Sequence, residues 1–217
     1  MLSRDDYLAA WSRWHGGTDT STPLVRGWLS LVYALARPLA GLPPVVATAL
    51  GLLAAVAAIG PALAGGLWLL AAGVLVGLSG LLDSLDGALA IGTGRASRRG
   101  FVLDSAVDRL TEAAYATALW AAGAPAWLAV VFGALCWLPD YLRARAGQAG
   151  VAETGALTVW ERPTRVILTG LTTVGAGVVS GLGGADLVVT AGAAAGALLG
   201  AVGVIQLGFS LRAMLAD

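Results

Sequence analysis

GLLDSLDGALAIGTGRASRRGFVLDSAVDRL, residues 80–110, sets four aspartates, Asp83, Asp86, Asp104 and Asp108, among long apolar runs. An acid within a membrane span costs at least about 2.5 kcal/mol on insertion scales. Four of them near one level need a compensating cation. Asp83 and Asp86 are three positions apart and Asp104 and Asp108 four apart, so a helix puts each pair on one face. The first pair ends one apolar segment and the second pair opens the next. A loop between two spans returns the chain to the side it left, so the four carboxylates are expected to converge at the mouth of two adjacent helices.

The rest of the chain supplies the membrane. Of 217 residues, 58% are hydrophobic and 12% charged, with a mean hydropathy of +0.81. That is too little polar side chain to coat a soluble domain of this length, and the class is an all-α integral membrane protein. Six segments approach the ~20 apolar residues a span needs: 44–63, 67–89, 101–121, 125–142, 164–182 and 187–207. Three connections, GPALAGG, AGAP and GLGGAD, carry no arginine. The other segments hold the arginines, among them Arg95, Arg98 and Arg99 after the second span and Arg143, Arg145, Arg162 and Arg165 after the fourth. Six transmembrane helices place all of these on one side, and arginine-rich loops stay in the cytoplasm. Both termini and the acidic stretch are then expected to face the cytoplasm.

One domain is expected over 1–217, with a cytoplasmic N-terminal segment at 1–40 and a six-helix bundle at 44–207. Thr22 followed by Pro23 reads as a helix start. Leu24, Trp28, Leu31, Leu35 and Leu39 then share one face and Arg26, Ser30, Tyr33 and Arg37 another, the pattern of an amphipathic interfacial helix. MLSRDDYLAAWSRWHGG at the start lacks the apolar core of a cleavable signal peptide. The single histidine, His15, is expected on the surface and the single cysteine, Cys136, in packing. Gly192, Gly196 and Gly200 recur every four residues, which suits either internal helix packing or a dimer face.

Hard oxygen ligands in this number suit Mg²⁺, Mn²⁺ or Ca²⁺ rather than zinc. Two ions sharing a carboxylate cluster clamp a pyrophosphate, and Gly87 and Gly100 leave room for a bulky ligand beside it. Two other readings stay open on the residues alone. One is a salt-bridge network with Arg95, Arg98, Arg99 and Arg109. The other is a divalent-cation transporter, against which stands the near absence of ionisable residues in the other spans.

The stretch resembles the signature of the CDP-alcohol phosphotransferase family, D-x2-D-G-x2-A-R-x8-G-x3-D-x3-D. Asp83, Asp86, Gly87, Ala90, Gly100, Asp104 and Asp108 match in residue and spacing, and Ile91 stands where the family has arginine. PPVVATALG is similar to the family's P-N-x-x-T-x-x-G, keeping Pro44, Thr48 and Gly51. DYLRARAGQAG and WERPTRVIL resemble segments of bacterial phosphatidylinositol-phosphate and phosphatidylglycerophosphate synthases.

The resemblance implies a multi-pass enzyme of a bacterial-type cell membrane, a homodimer with a cytoplasm-facing site and two Mg²⁺ or Mn²⁺ ions. It implies Asp83, Asp86, Asp104 and Asp108 as metal ligands, with Asp108 also the general base. Thr48, Gly87, Ala90 and Gly100 would line the nucleotide pocket. The reaction implied moves a phosphatidyl group from CDP-diacylglycerol to an acceptor hydroxyl and releases CMP, with membrane lipids and no nucleic acid among its partners. Arg143, Arg145, Arg162 and Arg165 suit an acceptor phosphate, which points to inositol phosphate or glycerol phosphate, with Asp140 and Glu161 pairing with the arginines and orienting them. Setting topology or binding anionic headgroups is the other reading of these arginines, and a cardiolipin-type synthase with a lipid acceptor is the alternative chemistry. Tyr141 and Trp160 suit either an aromatic belt or a site role.

Overall fold

The computed structural model describes residues 1–14, 19–151 and 157–215; His15 lies outside them. Among the described residues the chain is all-helical and has no strand. The helices are α1 (Arg4–Trp14), α2 (Pro23–Ala36), α3 (Pro44–Ala57), α4 (Ile59–Ala64), α5 (Trp68–Gly92), α6 (Arg98–Ala121), α7 (Ala126–Gln148), α8 (Arg162–Val179) and α9 (Ala185–Met214). Among the described residues, four stretches are long and apolar enough to cross a membrane: Pro44–Ala64, Trp68–Gly92, Arg162–Leu182 and Ala185–Met214. The helices α6 and α7 have the length, 24 and 23 residues. Their acids and arginines keep them out of that set, so hydropathy alone does not deliver the six expected spans.

The chain packs as two compact units, Met1–Leu53 with Ser79–Asp108 and Ala54–Leu78 with Arg109–Asp217. In the first, α2 turns Leu29, Val32 and Ala36 inward against Tyr7, Leu8, Ala47, Leu85, Ala88 and Leu89. The expected Leu24, Trp28, Leu31, Leu35 and Leu39 face is left exposed. Tyr7 stacks on Tyr33 with ring centroids 5.4 Å apart, and burial pushes its phenol up to about 12. The Tyr33 hydroxyl donates to the Leu2 carbonyl at 2.9 Å, and the Leu2 N–H donates to the Gly92 carbonyl at 2.7 Å. The N-terminal segment is thereby tied to the end of α5.

That end is sharply built. Gly94 has φ +68°, its N–H donates to the Ile91 carbonyl, and the Arg95 N–H donates to the Ala90 carbonyl. These are the two bonds of a Schellman stop, which requires a left-handed residue at Gly94. Ser97 then starts α6, its hydroxyl accepting the Gly100 N–H at 3.0 Å. Five residues, Thr93 to Ser97, thus separate the two acid-bearing helices.

In the second unit α9 lies against α7 and α8, and its glycines are the reason it can. A Cβ on Gly192 would sit 2.1 Å from Thr172 Oγ1, one on Gly196 2.5 Å from the Phe132 ring, and one on Gly200 2.7 Å from Leu135 Cβ. The stripe is therefore used in packing within the chain. Gly203 continues it, 2.6 Å from Trp160 Cβ by the same construction. Trp160 is wholly buried and meets Phe132 edge-on, centroids 5.5 Å apart. This corrects the aromatic-belt reading of Trp160, which is buried against Gly200 and Gly203 of α9. Cys136 is buried in the same cluster, as expected.

Candidate active site

The acid pairs meet. Carboxylate oxygens of Asp83, Asp104 and Asp108 lie within 4.8 Å of one another. Helical spacing places Asp104 and Asp108 one turn apart on α6, and the short turn after α5 brings Asp83 to them. Asp86 is not in this trio. It is buried one turn further along α5 and lines a cavity together with Asp104. One oxygen each of Asp86, Asp104 and Asp108 is shut off from solvent. Carboxylates this close repel one another unless a cation lies between them. An all-carboxylate donor set of half-buried oxygens fits a hard divalent cation, so the residues present suit Mg²⁺ or Mn²⁺.

The cavity encloses about 360 Å³, within the ~300–1,000 Å³ range of small-molecule sites. All four residues expected at the nucleotide, Thr48, Gly87, Ala90 and Gly100, line it. A Cβ on Gly87 would meet nothing within 4 Å, so this glycine leaves open space rather than solving a packing problem. Thr48 is buried, and its hydroxyl donates back to the Pro44 carbonyl at 3.2 Å. Arg95 and Arg99 also line the cavity. Arg95 Nη1 donates to the Leu42 carbonyl at 3.0 Å and the Gly41 carbonyl at 3.4 Å, which fixes the turn ahead of α3.

The expected acceptor arginines lie in the second unit, in different settings. Arg165 is wholly buried; it donates to Glu112, to Asp140 at 2.9 Å and, through Nε, to the Trp160 carbonyl at 3.1 Å. Arg143 grips Glu161 with two bonds of 2.7 and 3.1 Å and lies 3.6 Å from Asp140. Arg162 is half-buried. Arg145 is exposed and donates to Gln148. The pairing of Asp140 and Glu161 with the arginines matches expectation.

Burial raises the Glu161 carboxyl, but the Arg143 bonds and the Thr158 N–H at 2.8 Å outweigh it and hold it below the usual glutamate range. The residue sequence reasoning missed is Glu112, fully buried on α6 between Arg165 and Arg109. Its signal is spacing: it lies three residues beyond Arg109, on the same helix face. Arg109 also donates to Asp140 and to the Cys136 carbonyl.

Residues 42–190 match the family model described as CDP-alcohol phosphatidyltransferase. The chain belongs to this family. It is 38% identical over 99 residues to an archaetidylinositol phosphate synthase of Pyrococcus horikoshii, covering 45% of this chain and 52% of that protein. It is 37% identical over 148 residues to a phosphatidylinositol phosphate synthase of Mycolicibacterium smegmatis, covering 64% and 65%. The chain thus spans about half the length of the first of these curated relatives. A crystal structure of Mycobacterium tuberculosis phosphatidylinositol phosphate synthase with CDP-DAG bound superposes with a TM-score of 0.65 at 27% identity, over 84% of this chain and 94% of that one. A second structure of that synthase, in complex with manganese and citrate, gives 0.64 at 27% identity, over 83% and 88%.

Membership gives meaning to one departure. Ile91, at the family's arginine position, is buried in the apolar core of the first unit and touches the cavity's edge. A guanidinium at this position would have to leave that core or desolvate within it.

Proposed function

We propose that the chain moves a phosphatidyl group from CDP-diacylglycerol to a hydroxyl of a phosphorylated polyol and releases CMP. Inositol phosphate is favoured over glycerol phosphate by the names of the relatives. The observation that carries the reading is the convergence of Asp83, Asp104 and Asp108 beside a cavity that Asp86 and Asp104 line. Asp83, Asp86, Asp104 and Asp108 would hold two Mg²⁺ or Mn²⁺ ions, whose chemistry is to neutralise the pyrophosphate and the departing CMP. Thr48, Gly87, Ala90 and Gly100 bound the space for the nucleotide.

Asp108 accepts the proton of the acceptor hydroxyl. The hydroxyl oxygen bonds to the phosphorus that carries diacylglycerol, and the P–O bond to CMP breaks. The acceptor's phosphate is assigned to Arg143, Arg145, Arg162 and Arg165. Within that set, Arg165 acts by holding its carboxylate partners, and Arg162 and Arg145 are better placed to meet a phosphate. The donor's acyl chains stay in the bilayer.

The reading extends to topology: one membrane domain, six spans with α6 and α7 included, α2 lying at the interface, and both termini and the site in the cytoplasm. The polar side chains of α6 and α7 are compatible with spans that pair their charges inside the protein, as Glu112, Asp140 and Arg165 do. A homodimer is the assembly that the resemblance implies.

The test is CMP release by purified protein with Mg²⁺ or Mn²⁺ and CDP-diacylglycerol, offered inositol phosphate, glycerol phosphate, free polyols and phosphatidylglycerol in turn. Release with a phosphorylated polyol is expected. Release with phosphatidylglycerol alone replaces the reading by a cardiolipin-type synthase. Silence with every acceptor overturns it, and metal flux into liposomes without nucleotide would put a transporter in its place. Arg162→Gln should raise the KM for the acceptor more than the KM for CDP-diacylglycerol; equal changes remove Arg162 from the acceptor site.

A further inference from the structure

Trp14 is the last residue of α1 and lines the same cavity as Asp86, Gly87 and Asp104. The packing of α1 does not need its indole. The helix is held by Tyr7 and Leu8 in the core, by the Tyr7–Tyr33 stack, and by the Leu2 bonds to Gly92 and Tyr33. Trp14 itself is 53% exposed. A helix fixed at one end therefore presents a half-bare aromatic face at the wall of the cavity that Asp86 and Asp104 line. Such a face gains by meeting a flat ligand, because the hydrated apolar surface of both is then covered.

The opposite requirement comes from the ligand. A cytidine nucleotide has a phosphate end, suited to the aspartate cluster through bound cations, and a planar base. The family arginine that could reach the nucleotide is Ile91 here, packed in the core. Among the described residues, Phe101 is the other aromatic ring lining the cavity. It stands in the first turn of α6, three residues before Asp104, and so belongs to the acidic end of the wall.

We infer that Trp14 stacks on the base of the nucleotide donor, which makes α1 part of the nucleotide pocket. The inference rests on the proposed transferase reading. Stacking of a base on an aromatic side chain is worth about 1–3 kcal/mol, an affinity change of about 5- to 150-fold.

The experiment is calorimetric binding of CMP, with Mn²⁺ present, to the purified full chain and to its Trp14→Ala, Trp14→Phe and Phe101→Ala variants. Ribose 5-phosphate, which lacks a base, is the second probe. Trp14→Ala should weaken CMP by about 5- to 150-fold and leave ribose 5-phosphate unchanged, and Trp14→Phe should recover most of the loss. A structural role would weaken both probes, and that result overturns the inference. So does unchanged CMP affinity in Trp14→Ala, or a loss found in Phe101→Ala instead. If the wild-type chain binds no CMP at all, the transferase reading itself fails, and the inference with it.

Discussion

Arg165 donates to Glu112 at a place where neither side chain reaches solvent. Two helices, α6 and α8, are thus joined by a buried charge pair, which Asp140 of α7 and Arg109 extend. Removing one partner of such a pair leaves the other charged and desolvated, at a cost of about 3–5 kcal/mol. Glu112→Gln is expected to lower the thermal midpoint of the detergent-solubilised protein markedly. Combining Glu112→Leu with Arg165→Met should recover much of that loss, because an apolar pair of similar volume needs no partner. A double variant as unstable as Glu112→Gln would show that the pair does more than pay its own desolvation.

Asp108 belongs both to the carboxylate trio and to the proposed proton transfer. Asp108→Asn should cut CMP release by about 100-fold or more, the range of general-base effects. The same change relieves repulsion among Asp83, Asp104 and Asp108, so in chelator its thermal midpoint should equal or exceed that of the wild type. Mn²⁺ should raise the wild-type midpoint and chelation reverse it, with the shift reduced in Asp104→Asn. A wild-type midpoint indifferent to Mn²⁺ would remove the metal centre.

Gly196 touches the Phe132 ring so closely that one added methyl group must displace it. Gly196→Ala is expected to destabilise by about 1–3 kcal/mol, the usual cost of overpacking. Gly208, on the same helix with open space around it, should accept alanine with little change. If the stripe served a dimer instead, Gly196→Ala would shift the oligomeric state and spare the midpoint.

Glu161 sets a pH dependence. Its carboxyl is held below the usual glutamate value of about 4.3, so the folded state binds its proton more weakly than the unfolded chain. Its contribution is fully present above that usual value and is lost as pH falls through the depressed one. The stability gap between wild type and Glu161→Gln should be flat from pH 5 to 8 and close only in stronger acid. A gap that closes by pH 6 would mean that the Arg143 grip is not what holds Glu161 ionised.

The acidic centre was legible in the sequence because its information is local. Spacings of three and four residues put Asp83 with Asp86 and Asp104 with Asp108, and the hydropathy around them named the solvent. The turn that joins the pairs, at Gly94 and Ser97, is local too, but it was found only in the structure. What no spacing could say is which of the four carboxylates meet at one point. Asp83 joins Asp104 and Asp108, while Asp86 turns to the cavity, because the facing of α5 against α6 is set by side-chain packing and not by either helix alone.

The same division holds elsewhere. Composition determined a helical membrane protein, since apolar residues in this proportion have no other place to go. Only tertiary structure decided that Gly192, Gly196 and Gly200 serve packing within the chain, that Trp160 is core, that Arg165 is committed to Glu112 and Asp140, and that Trp14 stands at the cavity wall. Each depends on what a distant segment places opposite it, and a helix periodicity names the face of a residue but not its neighbour.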